Sequence, residues 1–419
     1  NLPHCMPVWR RSLHSRYGWF DEASFGTFAD WGFWLKVLED GNLGWLDPAP
    51  LSFYYVNPTS HNRRGSHLED FHRAVEVAFG PRLIARLAGQ LRLPCPLPAE
   101  TSRKFYVSGL EHSYGQHRSS FNNLIAALEP LNRGPGGIRF IPFLERQFVW
   151  GDCAVDGEAR SDNPRPITDP WVGILHVPFD VPDWWCDTSV CPRSFFETSL
   201  FQDSLPACRG IITLSAALQK DLATYLPDTP SLSLKFPTSL NVRMWEPKSY
   251  SASPCVIQVG DWLRKLQAIH RLNAPNHRKV MLLKQFTNDF LQQEIAVFGN
   301  AIDPRVEMFD FISNEEYDKF LSQSVVICLM YSTAANNIVC ECLARATPIL
   351  INPLPAVVEY LGEDYPLYVR NEIEAGAVIT HINRIKEAHA YLLQRRLEID
   401  LSYQGFCNLL GTSAFYQNL

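Results

Sequence analysis

The sequence predicts an α/β protein with two doubly wound, parallel-sheet domains behind a smaller N-terminal helical and irregular part, and two observations carry that class. Short apolar runs, dense enough to be strands buried on both faces, alternate with segments of helical period, which implies parallel sheets. Two proline-bearing stretches, 94–98 and 237–254, interrupt the alternation and mark a linker and a hinge. The expected division is therefore 1–98, 99–245 and 246–419.

Residues 1–98 are rich in Trp, Tyr and Arg and include a helical stretch at 67–76. In 99–245, strands are expected at 104–107, 138–142, 171–176 and 210–214, with a helix over 121–131 and another over 215–222 that Ser215 suits as a cap. In 246–419, apolar runs at 256–259, 280–283 and 325–331 read as strands. After the last of these, Ser332, Thr333, Asn336 and Asn337 are all capable helix caps, and Val339, Cys342, Leu343 and Ala346 recur on one helical face. Pro348 ends that helix, 349–351 reads as the next strand, and 357–361 is a short helix closed by Gly362. The result is a β-loop-α-β unit whose loop lies at the carboxyl end of a strand, where helix N–H groups face a phosphate. The segment 237–254 hinges the two domains, and the cleft it creates is the expected ligand site.

Composition narrows the class. The chain has 419 residues, is 46% hydrophobic and 20% charged, and carries a net charge of −6. Those values fit an ordinary globular protein and give no general attraction to nucleic acid. No run reaches the roughly 18 uninterrupted apolar residues of a membrane span, and no leader is seen, so the expected location is the cytosol, with peripheral membrane attachment left open. Starting at Asn1, the chain reads as a piece of a longer multidomain protein. Of eleven cysteines, Cys255, Cys328, Cys340, Cys342 and Cys407 sit in apolar runs as small hydrophobes. Cys186, Cys191 and Cys208 lack zinc-site spacing, so neither metal nor disulfide is expected.

Several residues converge on phosphate and sugar chemistry. In Gly260-Asp261-Trp262-Leu263-Arg264-Lys265, which follows a strand, glycine permits close main-chain approach and the two cations would hold a diphosphate. Departure of a diphosphate from an oxocarbenium-like sugar builds negative charge that fixed cations stabilise. The plainer alternative makes both cations solvated residues on a helix. Glu341 would accept both ribose hydroxyls, or else form an i,i+4 salt bridge with Arg345. On the 99–245 side, the strand 171–176 ends in His176 and runs into Val177-Pro178-Phe179-Asp180-Val181-Pro182-Asp183-Trp184-Trp185. There Trp184 and Trp185 would face a pyranose ring, while His176 or Asp183 would bond or help deprotonate a hydroxyl. A structural role for His176 is the other reading.

The Gly260–Lys265 motif, the stretch from Asn336 and Asn337 through Glu341 to Pro348, and Asn352-Pro353-Leu354-Pro355-Ala356-Val357-Val358-Glu359-Tyr360-Leu361-Gly362 together resemble the donor half of GT-B glycosyltransferases. The resemblance covers about 100–400 and implies two Rossmann-like domains, a metal-independent reaction and a nucleotide-sugar donor held mainly by the second domain. It implies donor-binding roles for Gly260, Trp262, Asn336, Asn337 and Glu341. In the retaining branch two glutamates eight positions apart are typical. Glu341 matches the later one, and Thr333 stands at the earlier. Residues 6–14, 18–22 and 29–36 resemble the closing third of an inverting GT-A transferase, in which Asp30 would be the base. Its earlier two thirds and a metal-binding Asp-x-Asp are not seen, so this remnant is expected to be inactive. Asp30 as a helix cap or a buried hydrogen-bonded carboxylate is the alternative.

The reading is a hexosyl- or deoxyhexosyltransferase with catalytic Arg264, Lys265 and His176, and with Asp183 and Trp184 on the acceptor. It moves a sugar from a nucleotide diphosphate to a glycan or lipid-linked glycan in polysaccharide or surface-glycan assembly. No cofactor beyond the substrate is expected, and neither nucleic acid nor a membrane span is among the partners. A silent glycan-binding or scaffold module is the alternative of a different class, with a sugar-nucleotide epimerase behind both.

Overall fold

The computed structural model describes residues 103–107, 121–150, 165–185, 188–283, 287–310 and 312–419, together with His14, Gly18, Trp19 and Phe33. Asn1–Leu93 and Pro94–Leu419 form two compact units. In the first, the His14 ring stacks on Trp19 and Phe33 with centroids 4.2 and 4.8 Å away. Asp30, the expected helix at 67–76 and most of the GT-A-like motifs lie outside the described residues.

The second unit holds two five-stranded sheets among the described residues, and every pairing in both is parallel. The first runs in chain order through β1 (Phe105–Tyr106), β2 (Ile138–Ile141), β3 (Trp171–Leu175), β4 (Cys208–Thr213) and β5 (Ser231–Ser233). The second comprises β6 (Cys255–Val259), β7 (Arg278–Leu282), β8 (Val306–Phe309), β9 (Val325–Cys328) and β10 (Ile349–Ile351), in the order β10-β9-β6-β7-β8. These are two Rossmann-like α/β sheets. Every residue of β3, β6, β9 and β10 is buried, as expected of parallel strands covered on both faces. In the second sheet the chain leaves β6 toward β7 and β8, then returns to the other side of β6 for β9 and β10. The order therefore reverses between β6 and β9, and at such a switch point the loops beyond the carboxyl strand ends diverge and leave a crevice.

The helices that position the site begin with α1 (Phe121–Ala127) and α2 (Ala216–Tyr225), the latter capped by Ser215, which accepts from the Leu218 N–H. On the second sheet come α3 (Thr287–Phe298), α4 (Asn314–Gln323), α5 (Asn337–Arg345) and α6 (Pro355–Leu361). Toward the C-terminus follow α7 (Glu372–Ile379), α8 (Ile382–Glu398) and α9 (Tyr403–Thr412). The expected helix over 121–131 stops at Ala127 and gives way to a tighter turn, Glu129–Leu131, because Pro130 has no N–H to continue the α ladder. The expected strand over 325–331 ends at Cys328. Beyond it the Met330 main chain bonds the Asn352 side chain from both its N–H and its C=O.

After α9 the chain returns to the first sheet. The ring of Tyr416 lies 5.1 Å from that of Phe105 on β1, and its hydroxyl accepts from the Lys104 N–H at 3.0 Å. Cys255, Cys328, Cys340, Cys342 and Cys407 are free and buried, and Cys191 and Cys208 are free as well. Among the described residues no helix is long and apolar enough to cross a membrane.

Candidate functional site

The two loops at the β6/β9 switch point carry most of the predicted donor residues. After β6, Gly260 turns the chain at φ 81°, and Leu263 adopts φ 53°, a left-handed bend uncommon for a side-chain-bearing residue. A Cβ at Gly260 would lie 2.5 Å from the guanidinium carbon of Arg264. The sequence predicts close approach of a ligand to that glycine, whereas the structure fills the space with Arg264. This arginine is buried, donates from Nη1 to the Trp262 carbonyl and from Nη2 to the Asn336 Oδ1, both at 3.1 Å, and leaves its Nε without a hydrogen-bond partner. Asn336 is the cap of α5: the same Oδ1 accepts from the Ile338 N–H at 3.1 Å. A fixed cation is thus tied to the N-terminus of a nine-residue helix, where the macrodipole is also positive. Asn337 is the exposed first residue of that helix.

Arg264 and Lys265 make different contacts. The Lys265 ammonium lies 5.6 Å from the ring centre of Tyr331. Tyr331 in turn donates to Glu294 at 2.7 Å, and Glu294 also accepts from the Gln267 N–H at 3.0 Å. Burial pushes the Glu294 carboxyl up, against the pull of those bonds. No sequence pattern singles out Glu294, because it lies on α3, one crossover away from both loops. Glu341 is buried on α5. It accepts from the Tyr317 hydroxyl of α4 at 2.7 Å and stands 3.9 Å from Arg345 Nη1, so the i,i+4 pair is present but is the longer of the two contacts. Arg345, fully buried, bonds Asp318 at 2.8 Å. Thr333 uses its hydroxyl on the Ala335 carbonyl at 3.1 Å.

The loop that follows β3 meets the loop that follows β9. Asp180 accepts a hydrogen bond from Ser332. Trp185 is only 3% exposed and packs on Phe290 (5.0 Å), Trp262 (5.7 Å) and Tyr331 (6.3 Å). It is therefore a joint between the two sheets rather than the sugar platform its sequence context suggested. Trp184 is half-buried, edge-on to Tyr331 and Phe298 at 5.0 and 5.4 Å. Asp183 is exposed and lines a cavity of about 570 Å³ with Phe179, Asp180, Arg193, Asp221 and Tyr225. A second joint lies at α2: Glu359 of α6 accepts from the Ala216 and Ala217 N–H groups at 2.8 and 2.7 Å and from Lys235 at 2.6 Å. Burial raises its pKa, but those three bonds outweigh it and leave the carboxyl below its usual range.

His176 sits where β3 ends. Its Nε2 lies 2.8 Å from the Pro142 carbonyl, so Nε2 carries the proton and Nδ1 the lone pair. Burial, with Arg146 adding to it, lowers its pKa to about 3 against the pull of the Pro142 carbonyl. The ring is neutral across the physiological pH range. It stands edge-on to Phe236 at 6.0 Å, and the Phe236 carbonyl lies 3.6 Å from Cys340 Sγ, one turn into α5. His176 and the start of α5 therefore share a neighbourhood, flanked by the Asp180–Ser332 bond. Among the described residues no group of three or more His, Cys, Asp and Glu side chains is arranged to hold a metal ion.

No protein-family model matches the chain, and no curated protein sequence matches it. Solved structures do. One is TarM of S. aureus in complex with fondaparinux, α-GlcNAc-glycerol and UDP, at 9% identity and a TM-score of 0.43, over 58% of this chain and 51% of that one. Another is a trehalose-6-phosphate synthase, at 12% identity and a TM-score of 0.45, over 71% of this chain and 77% of that one. HepE from Anabaena, in complex with UDP and glucose, aligns at 12% identity and a TM-score of 0.44, over 57% and 70% of the two chains. The chain spans about half the length of TarM, and the structures it is similar to are GT-B glycosyltransferases.

Proposed function

We propose that the unit formed by residues 99–419 is a glycosyltransferase that moves a sugar from a nucleotide diphosphate to a glycan hydroxyl without a metal ion. The observation that carries this reading is the Arg264–Asn336 bond, which fixes a guanidinium against the N-terminus of α5 at the switch point of the second sheet. A helix N-terminus and a held cation together favour a diphosphate. As the sugar–phosphate bond breaks, its electron pair passes to the diphosphate, and a cation already in position stabilises that charge without reorganising. The acceptor hydroxyl oxygen bonds the anomeric carbon and passes its proton to the departing diphosphate. His176 supports the acceptor side of the reading as a neutral imidazole with an Nδ1 lone pair, suited to orienting a hydroxyl rather than to holding a proton at neutral pH. Asp183 and Trp184 are read as acceptor contacts, and Gly260, Trp262, Asn337 and Glu341 as donor-side residues, with Glu341 bracing α5 through Tyr317. Residues 246–419 serve the donor in this reading and 99–245 the acceptor.

A silent scaffold is the second reading, favoured by Thr333, whose hydroxyl closes on its own loop where a carboxylate would contact a donor sugar. Calorimetry of the full chain against UDP, GDP, dTDP and CMP, with and without magnesium, decides between them. One nucleotide is expected to bind equally well in both conditions. Binding of none supports the scaffold, and binding only with magnesium overturns the metal-free mechanism.

A further inference from the structure

Beneath His176 lies a carboxylate that neither the sequence motifs nor the mechanism above employs. Glu145 follows β2 and is fully buried. Its Oε1 accepts from the main-chain N–H of His176 at 2.8 Å and of Val177 at 2.6 Å, while its Oε2 is sealed from solvent with no hydrogen-bond partner. A buried carboxylate is costly, and an unpaired buried oxygen adds to that cost. A role confined to packing is met more cheaply by an apolar side chain. What the carboxylate supplies is one acceptor for two successive N–H groups at the point where β3 ends and the loop to Trp185 begins.

We propose that Glu145 is a positioning residue for the transfer reaction: by gripping the His176 and Val177 main chain it holds the His176 imidazole between Pro142 and Phe236, with Nδ1 carrying the lone pair. The proposal rests on the transferase reading for its purpose, but its geometry stands without it. Two consecutive N–H groups pinned to one oxygen fix the main-chain direction at His176. The Pro142 carbonyl then fixes the ring from the far side, at Nε2. Burial raises the Glu145 carboxyl from 4.5 to about 7, opposed by the main-chain N–H groups of Glu145, Val177 and His176. Of the charged groups on the adjoining segments, Arg146 acts on His176, Arg139 of β2 bonds Gln147, and Asp180 bonds Ser332. None of them is among the causes of the shift at Glu145. The grip is therefore tighter when the carboxyl is ionised and looser when it is protonated.

The test is histidine-ring ¹⁵N NMR on the full chain between pH 5 and 8, with the His176 signals assigned by their loss in His176→Gln. In the wild type these signals are expected to keep the neutral Nε2–H pattern throughout and to shift with an inflection near pH 7. In Glu145→Gln, which keeps a carbonyl oxygen for both N–H groups, the pattern is expected to persist and the inflection to vanish. In Glu145→Leu the signals are expected to move or broaden. An inflection that survives in Glu145→Gln, or signals unchanged in Glu145→Leu, overturns the proposal. The readout uses no nucleotide, so its outcome is separate from that of the calorimetric test of transferase function.

Discussion

The two sheets meet at their carboxyl ends with opposite electrostatic means. At the end of the first sheet, burial works against charge: it lowers the His176 pKa to about 3 and raises that of Glu145 to about 7. At the end of the second, a permanent cation is fixed by a side-chain amide at a helix N-terminus. A group whose charge depends on its surroundings is suited to orienting a neutral hydroxyl, and a group that is always charged is suited to a phosphate.

Three measurements test that contrast. The largest effect is expected from Trp185→Ala, because this ring belongs to the first-sheet loop and packs among second-sheet aromatics. Its loss should cost about 3–5 kcal/mol, read as a lowered denaturation midpoint in urea. A change within 1 kcal/mol would mean that the loops are held together by Asp180–Ser332 and Glu359 instead.

Next is the pH dependence of stability at Glu145. The folded pKa is raised above the ordinary 4.5, so the protonated carboxyl contributes stability that is fully present below about pH 4.5 and lost as pH rises through about 7. The difference in unfolding free energy between wild type and Glu145→Gln should therefore move against the wild type by on the order of 3 kcal/mol across that window. A difference flat with pH would mean that the carboxyl is ionised throughout and that the first sheet, too, presents a fixed charge.

The smallest is Arg264→Ala. Losing a charge-assisted contact of about 1.5–3 kcal/mol should weaken nucleotide-diphosphate binding roughly ten- to a hundredfold. The thermal midpoint is expected to hold better than in Trp185→Ala. Unchanged affinity would make Arg264 a strut between Trp262 and Asn336 and remove the electrostatic half of the comparison.

Much of the fold was legible in the chain because strand burial and helix capping are local. The strands at 171–176, 256–259 and 349–351 have the apolar density of two-sided burial, and Ser215 and Asn336 are caps by side-chain chemistry alone. β5, β8 and the helices after residue 371 were not read, since Ser231–Ser233 and Val306–Phe309 are too short or too polar to carry a period. For the site, the sequence supplied Gly260, Arg264, Asn336 and His176 as residue types after strands. It could not say that Arg264 would occupy the space above Gly260, since that depends on the bend at Leu263 and on β9 lying beside β6.

Two alternating series of buried strands and helices, the caps that start α2 and α5, and the residue types that end their strands are all written locally, because each depends on neighbours within a few positions. Only the packed fold sets β9 against β6, which brings Arg264 to Asn336 across 72 positions, and lays Tyr416, beyond α9, on β1. It also decided that Trp185 is a joint and that Glu145 lies under His176. Strand order and burial are set by how the whole chain packs, and no local pattern encodes which distant group will remove a carboxylate from water.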